Sequence, residues 1–211
     1  MTEETFISPK KHGKIGVLLS GRGSNFRAIH DAIRAGTVDA DIALVLSNKA
    51  EAAGLASARE RGLEALAIDP KPFPSKEDYD KRLVEELRRR DIDLVCLAGY
   101  MKIVTPYFCR EYKNRIMNIH PALLPAFPGL HVQRMAIEWG VRFSGCTTHF
   151  VAEEVDMGPI ILQAAVPVLQ DDTEETLSDR ILVEEHKIYP ESVRLFFEGR
   201  IEVRGRKVFI K

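Results

Sequence analysis

Ile15-Gly16-Val17-Leu18-Leu19-Ser20-Gly21-Arg22-Gly23-Ser24-Asn25 is the stretch that decides the fold. A short apolar run leads into a glycine-rich turn. Phe26, Ile29 and Ile33 then recur on one face of a helix that Gly36 can stop. Strand, glycine-rich turn and helix in this order open an α/β unit and aim the first helical N–H groups at whatever sits on the turn. The dinucleotide fingerprint needs a third glycine where Phe26 stands, and the next apolar run, residues 42–46, ends in Ser47-Asn48 instead of an acidic residue. No Gly-Lys-Ser/Thr follows, so the turn is not the P-loop of ATPases either. Two readings remain: a site for a single phosphate with Ser24 and Asn25 as side-chain donors, or a tight turn with a helix cap.

The alternation continues along the chain. A helix is expected over residues 54–61 and a strand over 63–68; a proline-rich loop follows. Ser75 with Asp78 resembles a capping box, and Tyr79, Leu83 and Leu87 line one face of the helix beyond it. Arg88, Arg89 and Arg90 suit that helix's negative end, and residues 92–98 read as a buried strand. Strands alternating with helices imply a parallel sheet, whose ligands sit beyond the carboxyl ends of the strands. The loops after Leu19, Ala98 and Met117 would all open there. Downstream, residues 131–139 can form a short helix. Residues 144–151 and 159–168 flank an acidic loop as a hairpin-like return, which makes the sheet mixed. Residues 173–198 are helical, with Pro190 expected to end or kink the helix, and residues 201–210 can pair around Arg204-Gly205. Residues 1–13 read as a flexible leader and 14–211 as a single domain.

Chemistry concentrates in Met117-Asn118-Ile119-His120-Pro121 and the segment after it. In an extended strand, Asn118 and His120 project the same way, while Pro121, Pro125 and Pro128 stiffen the exit. An amide donor beside a titratable ring suits polar catalysis at a carbonyl; a proline-rich loop after a buried strand is the plainer reading. Asp156, in the acidic loop, would hold His120 charged and oriented if it came close. His149, on a strand, reads as a hydrogen-bonded structural residue. His120, His131, His149 and Asp156 lack the HExxH or compact spacing of a metal site, so none is expected. The balance of 30 basic and 31 acidic residues argues against a nucleic-acid partner. Three well-separated cysteines form no disulfide framework, which points to a reducing cytoplasm. The polar start lacks the apolar core of a signal peptide, and no run of ~18 apolar residues offers a membrane span.

Three segments in order, GRGSN near the start, NIHPALLPAFPG in the middle and GCTTHFVAEEVDMGPIILQ downstream, resemble the folate-dependent phosphoribosylglycinamide formyltransferases of purine synthesis over residues 14–199. The resemblance implies an α/β formyltransferase fold: a Rossmann-like, mostly parallel central sheet with helices on both faces. It also implies transfer of a formyl group from 10-formyltetrahydrofolate to the glycine amine of N1-(5-phosphoribosyl)glycinamide, with no metal, by a monomer or homodimer. The family's catalytic trio falls on Asn118, His120 and Asp156. Its phosphate loop falls on Gly23, Ser24 and Asn25, and its second substrate contact on Leu182, Val183, Glu184 and Glu185, with Glu185 facing ribose hydroxyls. Folate contacts fall on Lys76, on Met101, Lys102, Ile103 and Val104, on Asn118, and on Ala152, Glu153, Glu154, Val155 and Asp156. Lys76 and Lys102 stand where family members often carry Arg, and Gln133 where many bacterial members carry a second His. Lysine lacks the planar fork that grips a carboxylate with two hydrogen bonds. Related formyltransferases carry an RNA-binding barrel or a regulatory domain, and the length of this chain together with its GRGSN loop favours the ribosylglycinamide substrate over theirs.

Overall fold

Apolar residues alternate along the central strands and divide between two cores. In β2 (Gly13–Leu19), Ile15, Val17 and Leu19 face one core and Leu18 the other. In β5 (Leu94–Leu97), Leu94 and Cys96 face the first and Val95 and Leu97 the second. Such strands are apolar on both faces because helices cover both. The computed structural model describes residues 4–6 and 12–211. The first core packs under α1 (Ser24–Arg34), α2 (Ala53–Glu60), α5 (Val132–Glu138) and α6 (Glu174–Phe197); the second packs under α3 (Lys76–Arg88) and α4 (Pro106–Glu111).

β3 (Ala40–Ser47), β4 (Ala65–Ala67), β6 (Ile116–His120), β7 (Phe143–Phe150) and β8 (Ile160–Pro167) complete a seven-stranded sheet in the order β4-β3-β2-β5-β6-β7-β8. The first five strands of that order run parallel, and β7 and β8 return antiparallel, as the hairpin pattern implies. Strand order reverses at β2, between β3 and β5, so a crevice opens at the carboxyl ends there. Backbone bonds close its floor: the Ser20 N–H donates to the Gly99 carbonyl at 3.0 Å, and the Gly54 N–H to the Gly21 carbonyl at 2.9 Å.

Four details depart from the sequence pattern. β1 (Glu4–Phe6) pairs with β9 (Ile201–Arg204), and Gly13 already belongs to β2, so the expected leader contains ordered backbone pairing; its remaining residues, apart from His12, lie outside the described ones. β9 also pairs with β10 (Lys207–Ile210), the expected hairpin. α4 has no counterpart in the sequence reading; six residues are too few to show a period, and its Pro106 start and buried Phe108 place it. β4 is shorter than expected. Finally, α6 runs through Pro190 without ending. Pro190 is buried with Tyr189, Val193 and Phe196, and that burial outweighs the one hydrogen bond the proline removes.

Candidate active site

β6 carries Asn118 and His120 to the carboxyl edge of the sheet, two residues apart and so on one side of the strand. β7 runs beside it with His149 opposite Asn118 and Thr147 opposite His120. The Phe150 carbonyl lies 3.0 Å from His149 Nδ1 and must accept from it, so Nδ1 carries the proton and Nε2 the lone pair. Asn118 Nδ2 donates to that lone pair at 3.2 Å. One amide hydrogen is thereby committed, and the other stays available on a residue that lines the cavity. His149 is therefore part of the site. Its contact with Asn118 depends on antiparallel register across 31 residues, which periodicity does not reveal.

Burial holds the His149 ring below its ordinary pKa of 6.5, and the hydrogen bond to the Phe150 carbonyl and the nearby Asp156 only partly offset this. An unfolded chain takes up this proton near pH 6.5 while the folded chain resists it, so stability falls as pH drops through and below that value. His149→Gln keeps an acceptor for Asn118 and cannot titrate. Its urea midpoint is expected to fall less than the wild type's between pH 7.5 and 5.5, by at most about 1.4 kcal/mol per pH unit. Parallel pH profiles for the two proteins would contradict a neutral, buried His149.

His120 is 4% exposed. Its Nε2–H donates to the Phe127 carbonyl at 2.8 Å, which leaves Nδ1 facing Asp156 Oδ2 at 3.5 Å. Nε2 is thereby committed to the loop, and Nδ1 is the nitrogen on the Asp156 side. The proline loop is pinned from β7 and β8. Thr147 Oγ1 donates to the Ala122 carbonyl at 2.7 Å and accepts from the Leu124 N–H at 3.0 Å, while Gln163 Nε2 donates to the Leu124 carbonyl at 2.8 Å.

Asp156 sits at φ 54, a left-handed conformation that Asp tolerates better than most residues. Its Oδ2 accepts from the Gly129 N–H at 2.8 Å, and its Oδ1 lies 3.7 Å from His149 Nε2. The acidic loop is in this way tied to the proline loop, with the two histidines between them.

These groups line one wall of a cavity of about 330 Å³. Met101, Lys102, Ile103, Val104, Ala152, Glu153 and Val155 line it too, together with Leu97, Tyr100 and Ile119. Glu154 is exposed and serves the loop through a turn bond from Met157 N–H. Lys76 lies instead in an adjoining groove of about 540 Å³ with Lys71 and Lys102, continuous with the cavity through Met101, Lys102 and Ile103.

The glycine-rich turn lies across the crevice. Gly23 caps α1 at φ 70, and a Cβ there would meet Gly54 Cα at 3.0 Å, so only glycine fits. No side chain caps this helix, which leaves its first N–H groups to an anion. The Asn25 side chain is turned away from the turn and donates to Glu185 of α6. Of the other α6 residues expected there, Leu182 is half-buried, Val183 is 54% exposed, and Glu184 pairs with Lys187 at 2.8 Å.

A mostly parallel, helix-covered sheet with an Asn/His/Asp cluster lining a cavity at its carboxyl edge has the architecture of an α/β transferase. The chain belongs to the formyl transferase family, whose sequence model matches residues 13–193. The phosphoribosylglycinamide formyltransferase of Escherichia coli K12 is 43% identical over 196 residues, covering 93% of this chain and 92% of that enzyme. The trifunctional purine biosynthetic protein adenosine-3 of Drosophila pseudoobscura pseudoobscura is 48% identical over 95% of this chain, and the chain spans 15% of that protein's length. The crystal structure of glycinamide ribonucleotide transformylase 1 from Symbiobacterium toebii superposes with a TM-score of 0.93 at 54% identity, covering 95% of this chain and 94% of that one.

Proposed function

We propose that this chain transfers the formyl group of 10-formyltetrahydrofolate to the glycine amine of N1-(5-phosphoribosyl)glycinamide, a step of de novo purine synthesis, in the cytoplasm, with residues 14–211 acting as one domain. The observation that carries the reading is the convergence of Asn118, His120, His149 and Asp156 on one largely apolar cavity. The lining suits a flat heterocycle: Leu97, Met101, Ile103, Val104 and Ile119 offer apolar faces, and polar groups gather at one end. Lys71, Lys76 and Lys102 in the adjoining groove supply positive charge for a carboxylate tail, as point charges without arginine's fork. The α1 N-terminus holds the substrate's phosphate.

Each residue then has a task. As the substrate amine bonds to the formyl carbon, the carbonyl electron pair moves onto oxygen, and the free Asn118 N–H donates to it. His120 Nδ1 takes the proton that the amine loses, and Asp156 Oδ2 at 3.5 Å stabilises the resulting imidazolium. When the carbonyl reforms, the bond from the formyl carbon to the folate nitrogen breaks, and Nδ1 returns the proton to that nitrogen. The attacking atom belongs to the substrate, so the chain needs no activated Ser or Cys. All three cysteines are buried, and burial pushes Cys96 up to about 12.

The test mixes purified protein with both substrates and follows deformylated folate spectroscopically. Turnover that requires phosphoribosylglycinamide and disappears in His120→Ala is the expected result. Folate release without the ribosyl substrate, also lost in His120→Ala, would replace the transferase reading with a hydrolase. No turnover in either condition would sink the assignment.

A further inference from the structure

Asn25 and Glu185 are 160 residues apart in sequence, yet Asn25 Nδ2 donates to Glu185 Oε2 at 2.7 Å where α1 packs on α6. Each residue is only 7% exposed. Asn25 Oδ1 is buried and accepts from none of the described residues, so the side chain is anchored through its NH₂ end alone. A phosphate needs donors, and one of the two side-chain N–H donors of Asn25 is committed to a carboxylate. Phosphate binding on this turn therefore draws first on the backbone N–H groups that open α1, with the Ser24 hydroxyl beside them. The Asn25 N–H thus engages an acceptor oxygen of the Glu185 carboxyl. An ionised carboxylate only accepts, and the hydroxyls of a ribosyl phosphate are the donors next to its phosphate.

We propose that Asn25 is a positioning residue for Glu185: its amide fixes the buried carboxylate where it accepts from a ribose hydroxyl, so that α1 and α6 read the sugar phosphate as a unit. The proposal rests on the functional reading above. Asn25 touches no reacting atom in this account; it acts through Glu185. Burial pushes the Glu185 carboxyl up and the Asn25 hydrogen bond draws it back. The titratable groups that feel its charge are Cys146 of β7 and Tyr189 of α6, both driven up by burial and neutral across the tested range; Glu184 and His186 flank it on α6, and the charge of Arg27 on α1 acts on His186.

The experiment is a double-mutant cycle on the full chain with Asn25→Ala, Glu185→Gln and the pair. Binding of ribose 5-phosphate and of phosphoribosylglycinamide is read by calorimetry, alongside kcat and both KM values. Losing a hydrogen bond to a charged group predicts that Asn25→Ala weakens both sugar phosphates about 10- to 100-fold. The folate KM and kcat should change less than about twofold, and Asn25→Ala should add almost nothing on the Glu185→Gln background. Full loss on both backgrounds would overturn the proposal, since Asn25 would then contact the ligand itself.

Asn25→Asp keeps the shape and covers the case in which the alanine variant fails to fold. Two adjacent carboxylates share a proton, so binding should be weak at pH 8.5 and recover at pH 6. A loss that is the same at both pH values would count against it. Wild-type binding of ribose 5-phosphate with an intact cycle, but without formyl transfer, would refute the functional reading and leave the coupling standing. Binding of neither sugar phosphate would refute both.

Discussion

Asp156→Asn is expected to lower kcat by about 10²- to 10⁴-fold while leaving the folate KM within a few-fold of wild type. The asparagine retains an oxygen to accept from the Gly129 N–H, now 2.8 Å from Oδ2, and adopts the left-handed backbone at φ 54 as readily as aspartate. The loop and its cavity-lining residues Ala152 and Val155 therefore keep their places. What disappears is the negative charge 3.5 Å from His120 Nδ1 and 3.7 Å from His149 Nε2. Without it, the imidazolium that forms as the amine gives up its proton has no counter-charge in a buried site. Steady-state and single-turnover rates measured together separate this chemistry from product release. A chemical step slowed less than about tenfold would remove Asp156 from the proton path.

Asn118→Ala carries the second large effect. Removing one oxyanion donor typically costs about 10²–10³ in kcat, or about 3–4 kcal/mol of transition-state stabilisation. The substitution also strips His149 Nε2 of its 3.2 Å donor in a ring that is 1% exposed. An unpartnered buried acceptor costs about 1–3 kcal/mol, so the variant should show a lower urea midpoint as well as lost turnover. The two losses are separable: measured well below the melting transition, the fall in kcat should persist while the protein stays folded. Wild-type turnover in a folded Asn118→Ala protein would show that the charge developing on oxygen is stabilised elsewhere.

The turn at Ser20–Asn25 and the loop at Asn118–Pro121 were readable because their signals are local. A glycine that must adopt φ 70 and an i, i+2 pair on one strand are properties of a few adjacent residues. His149 reads locally as a hydrogen-bonded strand residue, as it is, but its hold on Asn118 is set by a cross-strand neighbour. Thr147 and Gln163, which hold the proline loop, were missed for the same reason. Pro190 shows the converse: a strong local rule for stopping a helix yielded to burial against the sheet.

The role expected of Asp156 and the helices on both faces of the sheet are what the family resemblance implies; by itself, the sequence determined the alternation of strands and helices, the mixed end of the sheet and the projection of Asn118 and His120 to one side of a strand. These follow from periodicity, turn residues and side-chain chemistry, all of which act over short stretches of chain. Only the tertiary structure decided which ring nitrogen of His120 the loop carbonyl takes, that Asn118 is held by His149, and that Asn25 is joined to Glu185. Those are contacts between segments 7 to 160 residues apart, set by strand register and helix packing; both emerge only when the whole core closes.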